Sequence, residues 1–321
     1  RPHRLPVRHS ILMLGMLLII FSLPATARTD LKLLILLSSD KPSYQTVALE
    51  IKQRLQASTT VDATIQVRTV EAWKQQGSVS AHHHAQLAVA VGMKASRALL
   101  SRPVGFPVLS VLIPRLSYEA LLKQLADNTP DIPEHSALFL DQPIERQLKL
   151  TQLLLPGQRH AGVVIAQASQ TLKQEINEAA QQAGIKMSIA EVADKQDIVA
   201  TLTEKLQAID VLLAVFDPAI IDRQTAKQIL YLSYRRRFPV IAYSRALATA
   251  GALASVYTTP AQTGHQAADF IEHRLSTPQR HWPASEYPRY FSIACNNTVA
   301  RYLNLNGVCH QPLQEQLGAE Q

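Results

Sequence analysis

The chain has 321 residues, 47% of them apolar and 18% charged, with a formal net charge of +7 at pH 7. Three of those charges, Arg1, Arg4 and Arg8, fall in the first 27 residues. The remaining +4 is too mild for overall basicity to imply nucleic acid, although it favours an anionic ligand. The roughly 294 residues after that segment fit one large domain or two of about 100 to 150 residues, with two lobes as the default.

Residues 1–27 read as a signal peptide. Its three arginines form a basic start, 11–23 is an uncharged apolar run, and Ala25-Thr26-Ala27 has the small-x-small pattern of a cleavage site. The run has 13 residues, short of the roughly 20 needed to span a bilayer as a helix. No cysteine follows it to carry a lipid, so the expectation is a free periplasmic product starting at Arg28, not a cytosolic regulator.

Beyond it, short apolar runs alternate with longer amphipathic ones, the pattern of β-α units around parallel sheets. The first series has strands at 31–37, 64–70, 87–91 and 108–113, a helix at 44–55, and a helix opening at Gly92. A second series begins after Gln142-Pro143, with strands at 161–165, 185–192, 211–215 and 240–243 and helices at 144–155, 171–183, 198–208 and 221–234. Gly184 suits a left-handed helix cap. A strand at 253–257, a helix at 264–275, a linker at 277–288, a strand at 291–294 and a helix at 297–305 complete the ordered chain, and 311–321 reads as a loose tail.

From 209 onward the order of features resembles the ABC-transporter substrate-binding family of the periplasmic-binding type I fold, some of whose members bind aromatic amino acids. The resemblance rests on IDVLLAVFD at 209–217, FPVIAYS at 238–244, AGALASV at 250–256, TGHQAADFIEHRL at 263–275 and ACNNTVARYLNL at 294–305. It implies an α/β protein of two Rossmann-like lobes with parallel sheets, joined by three interlobe crossovers near Gln142, Val256 and Trp282, with ligand in the cleft. The N-terminal lobe would then comprise 28–142 plus about 257–281, and the C-terminal lobe 143–256 plus about 282–310.

In open parallel sheets, ligands sit beyond the carboxyl ends of the strands. That rule selects Ser38, Ser39, Gly92, Met93, Arg115 and Ser117 in the first lobe. In the second it selects Gln167, Ser169, Asp217, Tyr243, Ser244 and Arg245, with Gly251 on the hinge side. Asp217 follows an apolar run and precedes Pro218, and the resemblance places it where family members often carry an acid; it could equally cap the following helix. Arg115 and Arg245 offer planar forks for a carboxylate, or surface salt bridges. One acid and two bases would suit a zwitterion such as an amino acid.

Other features have plainer readings. His82-His83-His84 lacks an accompanying acidic spacing and reads as a loop, not a metal site. Arg235-Arg236-Arg237 reads as a solvated helix end. Cys295 and Cys309, the only cysteines, are expected to pair in an oxidising compartment. No G-x-S-x-G elbow, phosphate loop, dinucleotide fingerprint or H-E-x-x-H pair is present, so no enzyme and no cofactor is expected. The reading is thus a monomeric carrier that takes a small polar, amino-acid-like ligand to a membrane permease. The alternatives are a sensing module for a membrane receptor and a periplasmic enzyme using the cleft.

Overall fold

The computed structural model describes residues 28–75, 85–127, 129, 131–157, 160–277 and 282–318. The expected signal peptide and the three consecutive histidines lie outside them. In chain order the first layer contains β1 (Thr29–Leu37), α1 (Pro42–Ala57), β2 (Val61–Thr69), α2 (Val70–Gln75), β3 (Leu87–Val91), α3 (Met93–Leu100), β4 (Val108–Ile113), α4 (Arg115–Ala126) and β5 (His135–Phe139). Its sheet is parallel, in the order β2-β1-β3-β4-β5.

The second layer contains α5 (Ile144–Leu154), β6 (His160–Ala166), α6 (Gln170–Ala183), β7 (Lys186–Val192), α7 (Ile198–Lys205), β8 (Val211–Leu213), α8 (Arg223–Arg236), β9 (Val240–Ala242), α9 (Arg245–Ala250) and β10 (Ala254–Tyr257). After α10 (Pro260–Ser276) come β11 (Ser292–Cys295), α11 (Asn297–Tyr302) and α12 (Leu313–Gln316). The second sheet runs β11-β10-β9-β8-β6-β7, parallel except for β11. β11 is antiparallel to β10 because the chain reaches that edge from the first lobe, without a crossover helix of its own.

The central strand β3 is apolar throughout because helices cover both sheet faces, and every residue of Leu87–Val91 is buried. α10 belongs by packing to the first lobe: Ala267, Ala268, Phe270 and Ile271 join the cluster under β1 and α1. Its start is coded locally, since Thr259 and Gln262 form a reciprocal capping box around Pro260. Gly264 is where it meets α1. A Cβ there would stand 2.8 Å from the Val47 carbonyl oxygen and 2.6 Å from Glu50 Cβ, so any side chain would push the helices apart.

The chain therefore crosses between layers after β5, after β10 and again before β11. Within the stretch read as a linker, Ser285 and Glu286 line β5: Phe139 N–H donates to the Glu286 carbonyl and Glu286 N–H to the Ala137 carbonyl, each at 2.9 Å. The third crossing follows that strand-like segment. The segment after Gln311 corrects the expectation of a loose tail, because Leu313 and Leu317 are buried in the second-lobe core and Gln314 donates to the Phe291 carbonyl. Cys295 and Cys309 are disulfide-bonded, with Cα atoms 5.5 Å apart, and hold this end against β11.

Candidate ligand site between the lobes

A cavity of about 210 Å³ opens where the strand ends of the two sheets face each other. The first lobe contributes Pro114, Arg115 and Leu116 after β4, and Leu140 and Asp141 after β5. The second contributes Val215 and Phe216 after β8, Tyr243, Ser244 and Arg245 after β9, and Leu172 and Glu175 on α6. Gln142, Tyr257, Thr258 and Tyr287 close it from the crossovers. Four aromatic rings, Phe216, Tyr243, Tyr257 and Tyr287, line it among aliphatic and polar side chains, and the Phe216 and Tyr243 rings meet edge to face at 5.4 Å.

Four residues picked from strand ends, Arg115, Tyr243, Ser244 and Arg245, line this cavity. Ser169 and Asp217 line a shallower recess of about 290 Å³ at the cleft mouth, beside Glu119 and Lys123. Ser38, Ser39, Gly92, Met93, Ser117, Gln167 and Gly251 line neither.

Several of these have structural partners. The Ser38 hydroxyl accepts the Ala95 N–H at 3.0 Å, and Gly92, at φ +84°, has no room for a Cβ against that hydroxyl. Ser169 and Ser244 stand at helix N-caps, the latter accepting from Leu247 N–H, while Gly251 caps α9. Asp217 is 1% exposed, and its two carboxylate oxygens accept Ala166 N–H at 2.8 Å and Ala219 N–H at 3.1 Å. Its carboxylate therefore ties the end of β6 to the loop after β8.

Arg115 is buried, and its guanidinium spans the cleft. It pairs with Glu119 on its own helix at 2.8 Å and with Glu175 of the opposite lobe at 2.6 Å. Burial works to lower its pKa, but the Tyr287 phenol, which ionises only at high pH, and the carboxylates of Glu175 and Glu119 outweigh it and hold it above the ordinary value. Burial pushes the Glu175 carboxyl up by more than Arg115 draws it down. Arg245, in contrast, is exposed at the start of α9 and makes no ion pair among the described residues.

Asp141 is the charged residue that the strand-end rule missed, because β5 had not been recognised. One oxygen accepts the Arg115 backbone N–H, and burial raises the carboxyl to about 6 despite that bond. Burial, with the Asp141 charge beside it, raises the Tyr243 phenol to about 12. Burial likewise raises Tyr287 to about 12, against the pull of Arg115. Both phenols therefore remain neutral donors at ordinary pH.

The hinge side is one connected network. Gln142 Nε2 donates to Thr258 Oγ1 at 2.8 Å, and that hydroxyl donates to the Tyr290 carbonyl at 2.9 Å. Arg146 donates to Gln142 Oε1 at 2.6 Å and to the Pro288 carbonyl at 2.8 Å. All three crossovers are thereby bonded together beneath the cavity.

The comparisons agree with this architecture. The chain resembles a ligand-free, open substrate-binding protein with adhesive properties from Clostridium difficile, at TM-score 0.65 and 16% identity over 85% of this chain and 94% of that one. It resembles the ABC domain from Streptococcus pneumonia solved with L-Trp, at TM-score 0.55 and 18% identity over 86% and 95%. It also resembles a periplasmic ribose ABC transporter protein from Conexibacter woesei, at TM-score 0.52 and 13% identity over 92% and 99%. At these identities the likeness establishes the two-lobed type I periplasmic-binding fold. No curated protein matches in sequence. The family model described as ABC transporter substrate binding protein matches residues 71–279, well over half of the chain, and the protein belongs to that family.

Proposed function

We propose that the protein captures a small amino-acid-like molecule in the interlobe cavity and presents it to the permease of an ABC importer, without catalysing a reaction. The observation that carries this reading is the pairing of opposite charges across an aromatic pocket, with Asp141 on one lobe and Arg245 on the other. Asp141 suits a ligand ammonium, which would keep its carboxylate ionised. Arg245, with no ion-pair partner among the described residues, suits a carboxylate. The rings of Phe216, Tyr243, Tyr257 and Tyr287 would enclose an apolar or aromatic body. The relative solved with L-Trp supports this choice, and the opposed charges of Asp141 and Arg245 favour a zwitterion over a neutral sugar.

In this reading the lobes divide at the three crossovers, with α10 in the first lobe, and Arg28 begins a monomeric periplasmic protein. Ligand contacts to both lobes favour the closed form to the extent that they are absent from the open one. The Gln142–Thr258–Tyr290 network would make the crossovers bend together. Calorimetry of the purified protein with a panel of L-amino acids, sugars and dicarboxylates tests it. Saturable, stoichiometric binding of amino acids with large apolar side chains is expected, weakened by Asp141→Asn. Binding confined to sugars would overturn the ligand class.

A further inference from the structure

α8 and the turn ending it present a face that the ligand cavity does not use. Residues 223–237 carry Arg223, Lys227, Arg235, Arg236 and Arg237 and no carboxylate, and all five cations are exposed. Tyr231 and Tyr234 project beside them at 63% and 59% exposure, the highest among the exposed large hydrophobic side chains of the described residues. The face is organised. Tyr234 stacks on Tyr302 with centroids 4.5 Å apart, and Arg237 lies 4.8 Å over the same Tyr302 ring while donating to its carbonyl at 2.9 Å. Arg235 sits 6.0 Å from the Tyr231 centroid. Arg301, beside Tyr302, is also exposed, and 296–306 again contains no acid. Arg236 donates to the Thr203 carbonyl of α7, where Glu204 and Lys205 cancel.

A helix C-terminus favours one or two cations in its last turn. That does not explain outward tyrosines held under the arginines, or the exclusion of every carboxylate from two adjacent segments. Tyrosine rings flanked by Arg and Lys are the composition that settles at lipid headgroups, rings at the interface and cations against phosphate. The face is a protruding helix surface, and the cavities described above are lined by other residues, so it suits a broad anionic surface better than a threaded peptide. We propose that the α8 face docks the protein on an anionic phospholipid bilayer. α8 runs antiparallel to β8 and β9, so Arg235 to Arg237 lie at the end of the sheet away from Tyr243 to Arg245. Docking in this pose would hold the protein at the membrane with its cavity open away from the lipid for ligand uptake, and delivery to the permease would require it to leave the pose.

The test is sedimentation with vesicles of phosphatidylcholine, alone or with one third phosphatidylglycerol, at low and high salt. Wild type should partition onto the anionic vesicles only and be released by salt. Arg235→Gln, Arg236→Gln and Arg237→Gln combined should weaken partition on the order of 100-fold. Tyr231→Ser alone should weaken it by a few-fold, since one ring is lost and no charge. The control removes as much charge elsewhere, with Lys94→Gln, Lys149→Gln and Lys186→Gln, and should change partition by less than about tenfold through long-range charge alone. Equal losses in the two triple variants would reduce the effect to net charge and overturn the proposal, as would wild type that ignores anionic vesicles. Arginine-dependent retention on poly-L-glutamate without vesicle binding would assign the face to an acidic protein and overturn the lipid. Unchanged melting temperatures establish that each variant is folded.

Discussion

Asp141 and Asp217 each lie just past a parallel strand, β5 in the first lobe and β8 in the second, and the chain uses them differently. Asp217 has an amide donor for each oxygen and is sealed at 1% exposure. Asp141 accepts one cross-loop amide, faces the cavity and is raised to about 6 by burial. A strand-end position brings a carboxylate to the cleft; the number of donors already committed to it decides whether it supports the frame or remains for a ligand.

The largest effect that would break this contrast is expected at Asp217. Asp217→Ala should destabilise the protein by about 3 kcal/mol, since it removes charge-assisted bonds and leaves the buried Ala166 amide without an acceptor. Affinity per folded molecule should change little. Denaturant unfolding and calorimetry separate the two, and a large affinity loss with unchanged stability would invert the comparison.

Asp141→Asn should do the reverse, weakening an ammonium-bearing ligand by about 2 to 3 kcal/mol while leaving the empty protein as stable or more so at pH 7. The pH dependence follows from the direction of the shift. With a folded value of about 6 against an ordinary 3.8, Asp141 holds its proton more tightly when folded. Its stabilising contribution is complete below about 3.8 and is lost as pH rises through about 6. The empty protein should therefore gain stability at this site on acidification from pH 7. Ligand affinity should fall roughly tenfold by about pH 5, as the ionised fraction shrinks. Calorimetry and thermal melts of wild type and Asp141→Asn across that range check both signs, and a profile unchanged by the substitution would remove Asp141 from the site.

Much of the frame was legible before any coordinates. Strands 87–91 and 108–113 match their observed limits because they are short β-rich apolar runs between polar or turn-forming residues. β5 was missed: two of its five residues, His135 and Ser136, are polar, and its pairing with β4 and with the Ser285–Glu286 segment is long-range. Losing β5 also hid Asp141, and Tyr287 was hidden because its segment read as a linker.

The smallest predicted effect concerns the contact joining the lobes without ligand. Glu175→Gln should weaken closure of the empty protein by about 1 kcal/mol, a value reduced because the Glu175 side chain is 35% exposed. Small-angle scattering should show a larger radius of gyration, and calorimetry a loss of a few-fold in affinity. A compact, unchanged variant would show that the Arg115–Glu175 pair rides on closure and does not hold it.

Local periodicity and residue chemistry already determined the α/β alternation, the repeated half-chain plan and the strand ends from which a cleft would be built. These depend on neighbours within a few residues, as with the Thr259–Gln262 capping box. Which strand-end groups face a ligand was decided only by the tertiary structure. Asp217 meets an amide 51 residues away, Arg115 meets Glu175 at a separation of 60, and Gln142 meets Thr258 at 116. Chain separation of that kind carries no local signal, and a polar group's role depends on the partners that folding delivers to it.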